Sequence, residues 1–179
     1  MKKIGLTIED EKVLNVIPKG HLKGVECITR MDNLEIMREI LSTKSDIRRN
    51  NLYSLLQRFT PRNNGEVTLG LYTTFEDGTA EIFLNDRYAN EHTLAHEVGH
   101  NVWHNARRFN LYTKAIIPTF SKYLGLSKGK KLDLLKPQKT AKFISETFAD
   151  SYAYDTILKY ALKNNSERAK ALGIDEYHK

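Results

Sequence analysis

Residues 90–104 read NEHTLAHEVGHNVWH. The stretch holds four of the chain's six histidines, His92, His96, His100 and His104, each four residues after the last. This repeat asks for a helix. Four residues turn a helix through about 400°, so neighbouring histidines share a face with a drift of about 40° per step. Over the whole series the drift reaches about 120°, and the four cannot converge on one ion. The residue after each histidine selects among them. Thr93 follows His92 and Asn101 follows His100, whereas Glu97 follows His96. His96-Glu97-Val98-Gly99-His100 is therefore an HExxH segment, and neither overlapping pair is. Two neutral imidazoles one turn apart can take two corners of a tetrahedral Zn²⁺. Glu97 lies about 100° round the helix from His96 and can reach a water at the open corner. The metal lowers the pKa of that water, the carboxylate takes its proton, and a polarised carbonyl is attacked. His96 and His100 are thus the expected ligands and Glu97 the expected general base. His92 and His104 are expected to orient neighbours or face solvent.

A third ligand has to come from elsewhere. HExxHxxGxxH would need glycine at 103 and histidine at 106, where the chain has Trp103 and Ala106. The other common solution is a glutamate on a later helix. A helix expected over 138–163 offers Glu146 and Asp150, four residues apart and so on one face, with Ala149 and Ala153 beside them to permit close helix contact. Glu146 is assigned to the metal and Asp150 to the second ring nitrogen of a ligand histidine.

HEVGH followed by ETFAD resembles the glutamate-zincin peptidases, in which HExxH and a downstream ExxxD share the zinc site. Within that clan, the 46 residues from His100 to Glu146 are similar to the spacing in the catalytic domain of the anthrax lethal factor family. The resemblance covers residues 79–155 and implies an α+β zincin-like fold, zinc, and endopeptidase activity. That family places a tyrosine shortly before the glutamate, but residues 132–145 contain none. Tyr112, Tyr123, Tyr152 and Tyr154 are the candidates to replace it.

With 179 residues, the chain suits one domain, and 40% hydrophobic with 28% charged residues suits an ordinary globular protein. The single cysteine, Cys27, excludes an intramolecular disulfide and a cysteine-based zinc site, and is expected to be buried. The N-terminal MKKIGLTIEDEKVL has no apolar run suited to a signal peptide, and no run is long enough to span a membrane, so a cytoplasmic setting is expected.

Short strands are expected at 13–17 and 25–28. Helices are expected from Asn33 to about Leu41, with Leu34, Met37, Ile40 and Leu41 inward, and over 45–59, carrying Ile47, Leu52, Leu55, Leu56 and Phe59. EVTLGLYTT (66–74) and TAEIFLND (79–86) alternate around an Asp77-Gly78 turn and read as a hairpin, with 79–84 as the edge strand that would pair with an extended substrate. Trp103, Phe109 and Val102 are expected to bury the back of the HExxH helix, and Gly99 to admit a neighbouring backbone or the substrate. The domain thus divides into an N-terminal strand and helix part (1–65) and a catalytic part (66–163), a small twisted sheet packed on the HExxH helix and joined by the glutamate-bearing helix.

The net charge of +6 is uneven. Residues 107–142 hold ten Lys/Arg against one acid, Asp133, a local balance of +9. With a short helix expected over 118–124 and a Lys/Gly-rich loop over 127–131, this segment leaves and re-enters the zinc region. Lys128, Lys130 and Lys131 would draw in a peptide with acidic flanks. The function expected is zinc-dependent endopeptidase, including the narrower case of a regulatory peptidase that cleaves one partner. The alternative is a non-catalytic, zinc-stabilised module whose basic segment contacts nucleic acid or an acidic partner protein.

Overall fold

Residues 1–108 and 137–164 are described by a computed structural model. Four strands form one mixed sheet: β1 (Lys2–Ile4), β2 (Val25–Met31), β3 (Gly70–Thr74) and β4 (Ala80–Asn85), in the order β1-β2-β4-β3. β1, β2 and β4 are parallel, and β3 runs antiparallel to β4. Five α-helices accompany them among the described residues: α1 (Ile8–Val16), α2 (Asn33–Ser42), α3 (Asp46–Phe59), α4 (Glu91–Arg108) and α5 (Pro137–Asn164). The α+β class expected from the sequence is observed, and none of the described helices is long and apolar enough to cross a membrane.

The sheet separates two apolar clusters. On one face Ile28, Ile82 and Leu84 pack with Val13 and Leu14 of α1, Leu94 and Val98 of α4, and Ala153 and Ile157 of α5. On the other, Met31 and Phe83 pack with Ile36 and Ile40 of α2 and Leu52, Leu55 and Phe59 of α3. Each fully buried Leu, Ile or Phe here contributes about 1.5–3 kcal/mol relative to exposure. Asp10 and Arg30 join α1 to β2 through a buried fork, Nε to Oδ2 at 2.8 Å and Nη2 to Oδ1 at 2.9 Å.

Several expected elements are corrected. Residues 13–17, expected as a strand, belong mainly to α1. Thr7 caps that helix reciprocally with Asp10, acids fill its first turn, and Val13 and Leu14 reach the core. This local capping outweighs the β-branched run. β1 was not expected, and β2 runs on to Met31. In α2 the inward side is Ile36 and Ile40, while Leu34, Met37 and Leu41 are exposed, as is Ile47 of α3. Cys27 is half-buried, with its Sγ 3.2 Å from Thr29 Oγ1.

The hairpin forms as expected, with Gly78 in the left-handed region (φ 84°), but β3 begins only at Gly70. Its position in the sheet differs too. β4 sends Ile82 and Leu84 to one cluster and Phe83 to the other, so it is interior, buried on both faces. In this hairpin the edge strand is β3, one of the two edges of the sheet with β1, and it lies beside α4. The short helix over 118–124, the loop over 127–131, and Phe109, Tyr112, Tyr123, Lys128, Lys130 and Lys131 lie outside the described residues.

Candidate metal centre

α4 begins with a reciprocal cap. Asn90 Oδ1 accepts from the Thr93 N–H at 3.0 Å, and Thr93 Oγ1 accepts from the Asn90 N–H at 3.3 Å. From there Leu94, Ala95 and Val98 face the core, which turns His96 and His100 toward α5. The two helices approach closely at Gly99. A Cβ on that residue would lie 2.8 Å from the Ala149 Cα and 3.1 Å from its carbonyl oxygen. Glycine at 99 and a small residue at 149 therefore set the distance at which α5 can reach across. Further along, Trp103 packs on Phe148 with ring centroids 5.2 Å apart, and Val102 joins the core edge.

At that distance three side chains meet. His96 Nε2 and His100 Nε2 are 3.0 Å apart, and Glu146 Oε2 lies 3.4 Å from the first and 3.5 Å from the second. The other nitrogen of each ring is occupied. His96 Nδ1 is 2.8 Å from Asp150 Oδ1, and His100 Nδ1 is 3.1 Å from Ser145 Oγ. An ionised carboxylate only accepts, so the His96 proton sits on Nδ1 and its Nε2 lone pair points inward. His100 turns its Nε2 to the same point, so two imidazole nitrogens and a carboxylate oxygen face one another, a donor set that suits a cation. His96, His100 and Glu146 could hold a metal ion, and no other such group occurs among the described residues. His92 and His104 stand outside it. His92 lines the adjoining cleft, and the His104 ring lies 6.3 Å from that of Tyr72.

Glu97 is only 6% exposed. Burial first, and then the nearby Glu146, push its carboxyl up to about 8, against a smaller opposing effect of the Tyr72 backbone N–H that donates to it. β3 is its backstop. A Cβ on Gly70 would come within 2.6 Å of Glu97 Oε1 and 2.8 Å of its Cγ, so the strand can lie this close only with glycine there. Burial, together with His96, lowers the pKa of His100, which favours the neutral ring a metal requires. Around these groups opens a cleft of about 780 Å³, walled by β3, α4 and α5.

Two residues that sequence reasoning did not single out help build the site. Ser145 holds His100, although it stands directly before Glu146 and could have been sought as that ring's partner. Among the described residues Tyr72 is the tyrosine that lines the cleft; its hydroxyl donates to Asn101 Oδ1 at 3.1 Å. Asn101 in turn donates from Nδ2 to the His21 and Lys23 carbonyls, tying the 3-10 turn Lys19–Leu22 to α4. Of the tyrosines expected to replace the missing one, Tyr152 pairs with His21 Nδ1 at 2.9 Å, and neither it nor Tyr154 lines the cleft. Comparison of the chain with protein-family models, with curated proteins and with solved structures finds no match.

Proposed function

We propose that this protein is a zinc-dependent endopeptidase, in which His96, His100 and Glu146 hold the metal and Glu97 is the general base. The observation that carries the reading is the triangle of His96 Nε2, His100 Nε2 and Glu146 Oε2. Atoms bound at about 2.0–2.1 Å to a tetrahedral zinc stand about 3.3 Å apart. The separations of 3.0, 3.4 and 3.5 Å lie around that value. Two nitrogens and one oxygen also form the donor set of hydrolytic zinc sites, which keep a fourth position open.

When bound, the metal supplies Lewis acidity, making a water acidic near neutral pH and polarising a substrate carbonyl. With the metal bound, Glu97 would take a proton from the attacking water and pass it to the leaving amine. A carboxylate whose pKa has been raised toward neutrality suits both tasks, although the charge of a cation nearby would draw it down again. Asp150 and Ser145 hold the two imidazoles by their outer nitrogens, so the rings need little reorganisation to bind metal. β3, the edge strand beside the cleft, offers an extended peptide a strand to pair with. A fourth ligand from His92 or His104 would favour the non-catalytic module, and among the described residues neither joins the cluster.

The test is digestion of a degenerate octapeptide library. Zinc-loaded protein is expected to generate new amino termini, to stop when a chelator removes the metal, and to resume on adding zinc. Protein that holds zinc and cleaves nothing would leave the binding module as the better account.

A further inference from the structure

The edge strand has a second side. Tyr72 of β3 points toward α4, where its hydroxyl meets Asn101, whereas Leu71 packs into the cluster formed with α3. Strand side chains alternate between faces, so Thr73 follows Leu71 to the α3 side. There β3, β4 and α3 enclose a separate cavity of about 480 Å³, with Leu52, Leu55, Leu71 and Phe83 among its walls. A peptide lying extended along β3 would alternate likewise. Every second side chain would face the metal cleft, and the others would face this cavity.

The charges on the two sides differ. Glu97, Glu146 and Asp150 line the metal cleft, and a carboxylate side chain directed there would meet like charge or compete for the metal. On the α3 side the cations are Arg48 and Arg58. Arg48 is already engaged, with Glu39 at 2.9 Å and Glu81 at 3.0 Å. Arg58, exposed in the last turn of α3, has no ion-pair partner among the described residues. It borders both cavities, as do Leu71 and Tyr72 of β3.

We propose that Arg58 is a specificity residue, receiving the carboxylate of an Asp or Glu side chain that a substrate peptide lying along β3 directs to the α3 side. The inference rests on the peptidase reading and adds a substrate class to it: peptides with an acidic residue at one fixed distance from the cut. Lys142 of α5 also borders the metal cleft and is the competing cation.

The test has two arms. In the first, a degenerate octapeptide library is digested by zinc-loaded wild type, R58Q, R58E and K142Q, and the products are sequenced. Wild type is expected to enrich Asp and Glu about fivefold at a single position, the scale of a partly exposed ion pair. R58Q should lose that enrichment, R58E should exchange it for Lys and Arg, and K142Q should retain it. Absence of acid enrichment in wild type, its survival in R58Q, or its loss in K142Q instead would overturn the proposal while leaving the peptidase reading intact. In the second arm, which needs no turnover, zinc-loaded E97Q protein with and without R58Q is bound to an immobilised octapeptide array carrying Glu or Gln at each position in turn. Retention of Glu over Gln peptides that disappears with R58Q supports the proposal; equal retention by the two proteins overturns it. If wild type cleaves nothing, the peptidase reading fails and the array alone decides the role of Arg58.

Discussion

Glu97 is 6% exposed and stands beside Glu146, and both conditions keep a proton on it. Its carboxyl is raised from 4.5 to about 8, so the folded metal-free protein retains a proton that the unfolded chain releases. Stability contributed in this way is present below the unfolded value and is lost as pH rises toward about 8. His21, His92 and His100, whose pKa values burial lowers, add stability as pH rises at the low end of this range in both proteins, so the Glu97 effect is read as a difference. The melting temperature of metal-free wild type should fall relative to that of Glu97→Gln between about pH 5 and 8.5. At the alkaline end the variant should melt higher by about 5 °C or more. Identical pH profiles in scanning calorimetry would show that Glu97 is not buried as described. The metal ligands make a different contrast. Glu146→Ala removes a donor atom and should abolish tight zinc binding, whereas Asp150→Asn removes only a support for His96 and should weaken binding about 10–100-fold. Zinc titration against a competing chelator separates the two, and the reverse order would exchange the roles of Glu146 and Asp150. The pairs His96/His100 and Glu146/Asp150 were legible in the sequence because helix periodicity fixes which side chains share a face, and Glu97 was legible because it follows His96 in HExxH. Ser145 and Tyr72 were not. A hydroxyl beside a ligand has no distinctive spacing, and Tyr72 reaches the site only through the placement of a strand.

α4 and α5 meet through Gly99 and Ala149, and β3 meets α4 through Gly70. Gly99→Ala should gain about 1 kcal/mol of helix propensity. It should lose more, because the new methyl would lie 2.8 Å from the Ala149 Cα, a backbone position that cannot swing aside. Overpacking of this kind costs about 1–3 kcal/mol. Chemical denaturation should show net destabilisation, and zinc affinity should fall with it because Glu146 is pushed away from the histidines. A more stable variant with unchanged affinity would contradict the close crossing. The existence of α2, α3, α4 and α5 was readable from caps and periodic patterns. α1 was misread because Val13–Ile17 resembles a strand run, while the Thr7–Asp10 cap that decides the matter lies outside that run. Which strand forms the edge was misread for a different reason. Hairpin pairing is local, but the insertion of β4 beside β2 joins residues more than fifty positions apart, and a strand's own sequence does not name its far neighbour.

Across the whole molecule, one sheet serves two purposes. One face carries the cluster that anchors α4 and α5, and so fixes the distance between HExxH and Glu146; the other holds α2 and α3 and forms a second wall along β3. The α+β class was legible as a whole, since a hairpin, short strands and several capped helices in 179 residues leave few other architectures. The two-sided arrangement was not, because it depends on the strand order. Lys128, Lys130 and Lys131 lie outside the described residues, and among the described residues the Lys and Arg side chains that line the cleft are Arg58 and Lys142. The central claim is that this scaffold brings a metal and a base to one water, and Glu97→Gln tests it most directly. Wild type and variant are loaded with zinc, their metal content is measured by mass spectrometry, and both digest the same octapeptide library. The variant should hold one zinc per chain, as wild type does, and cleave about 10²–10⁴-fold more slowly, the usual contribution of a general base. A variant that holds its zinc and cleaves at the wild-type rate would contradict the account.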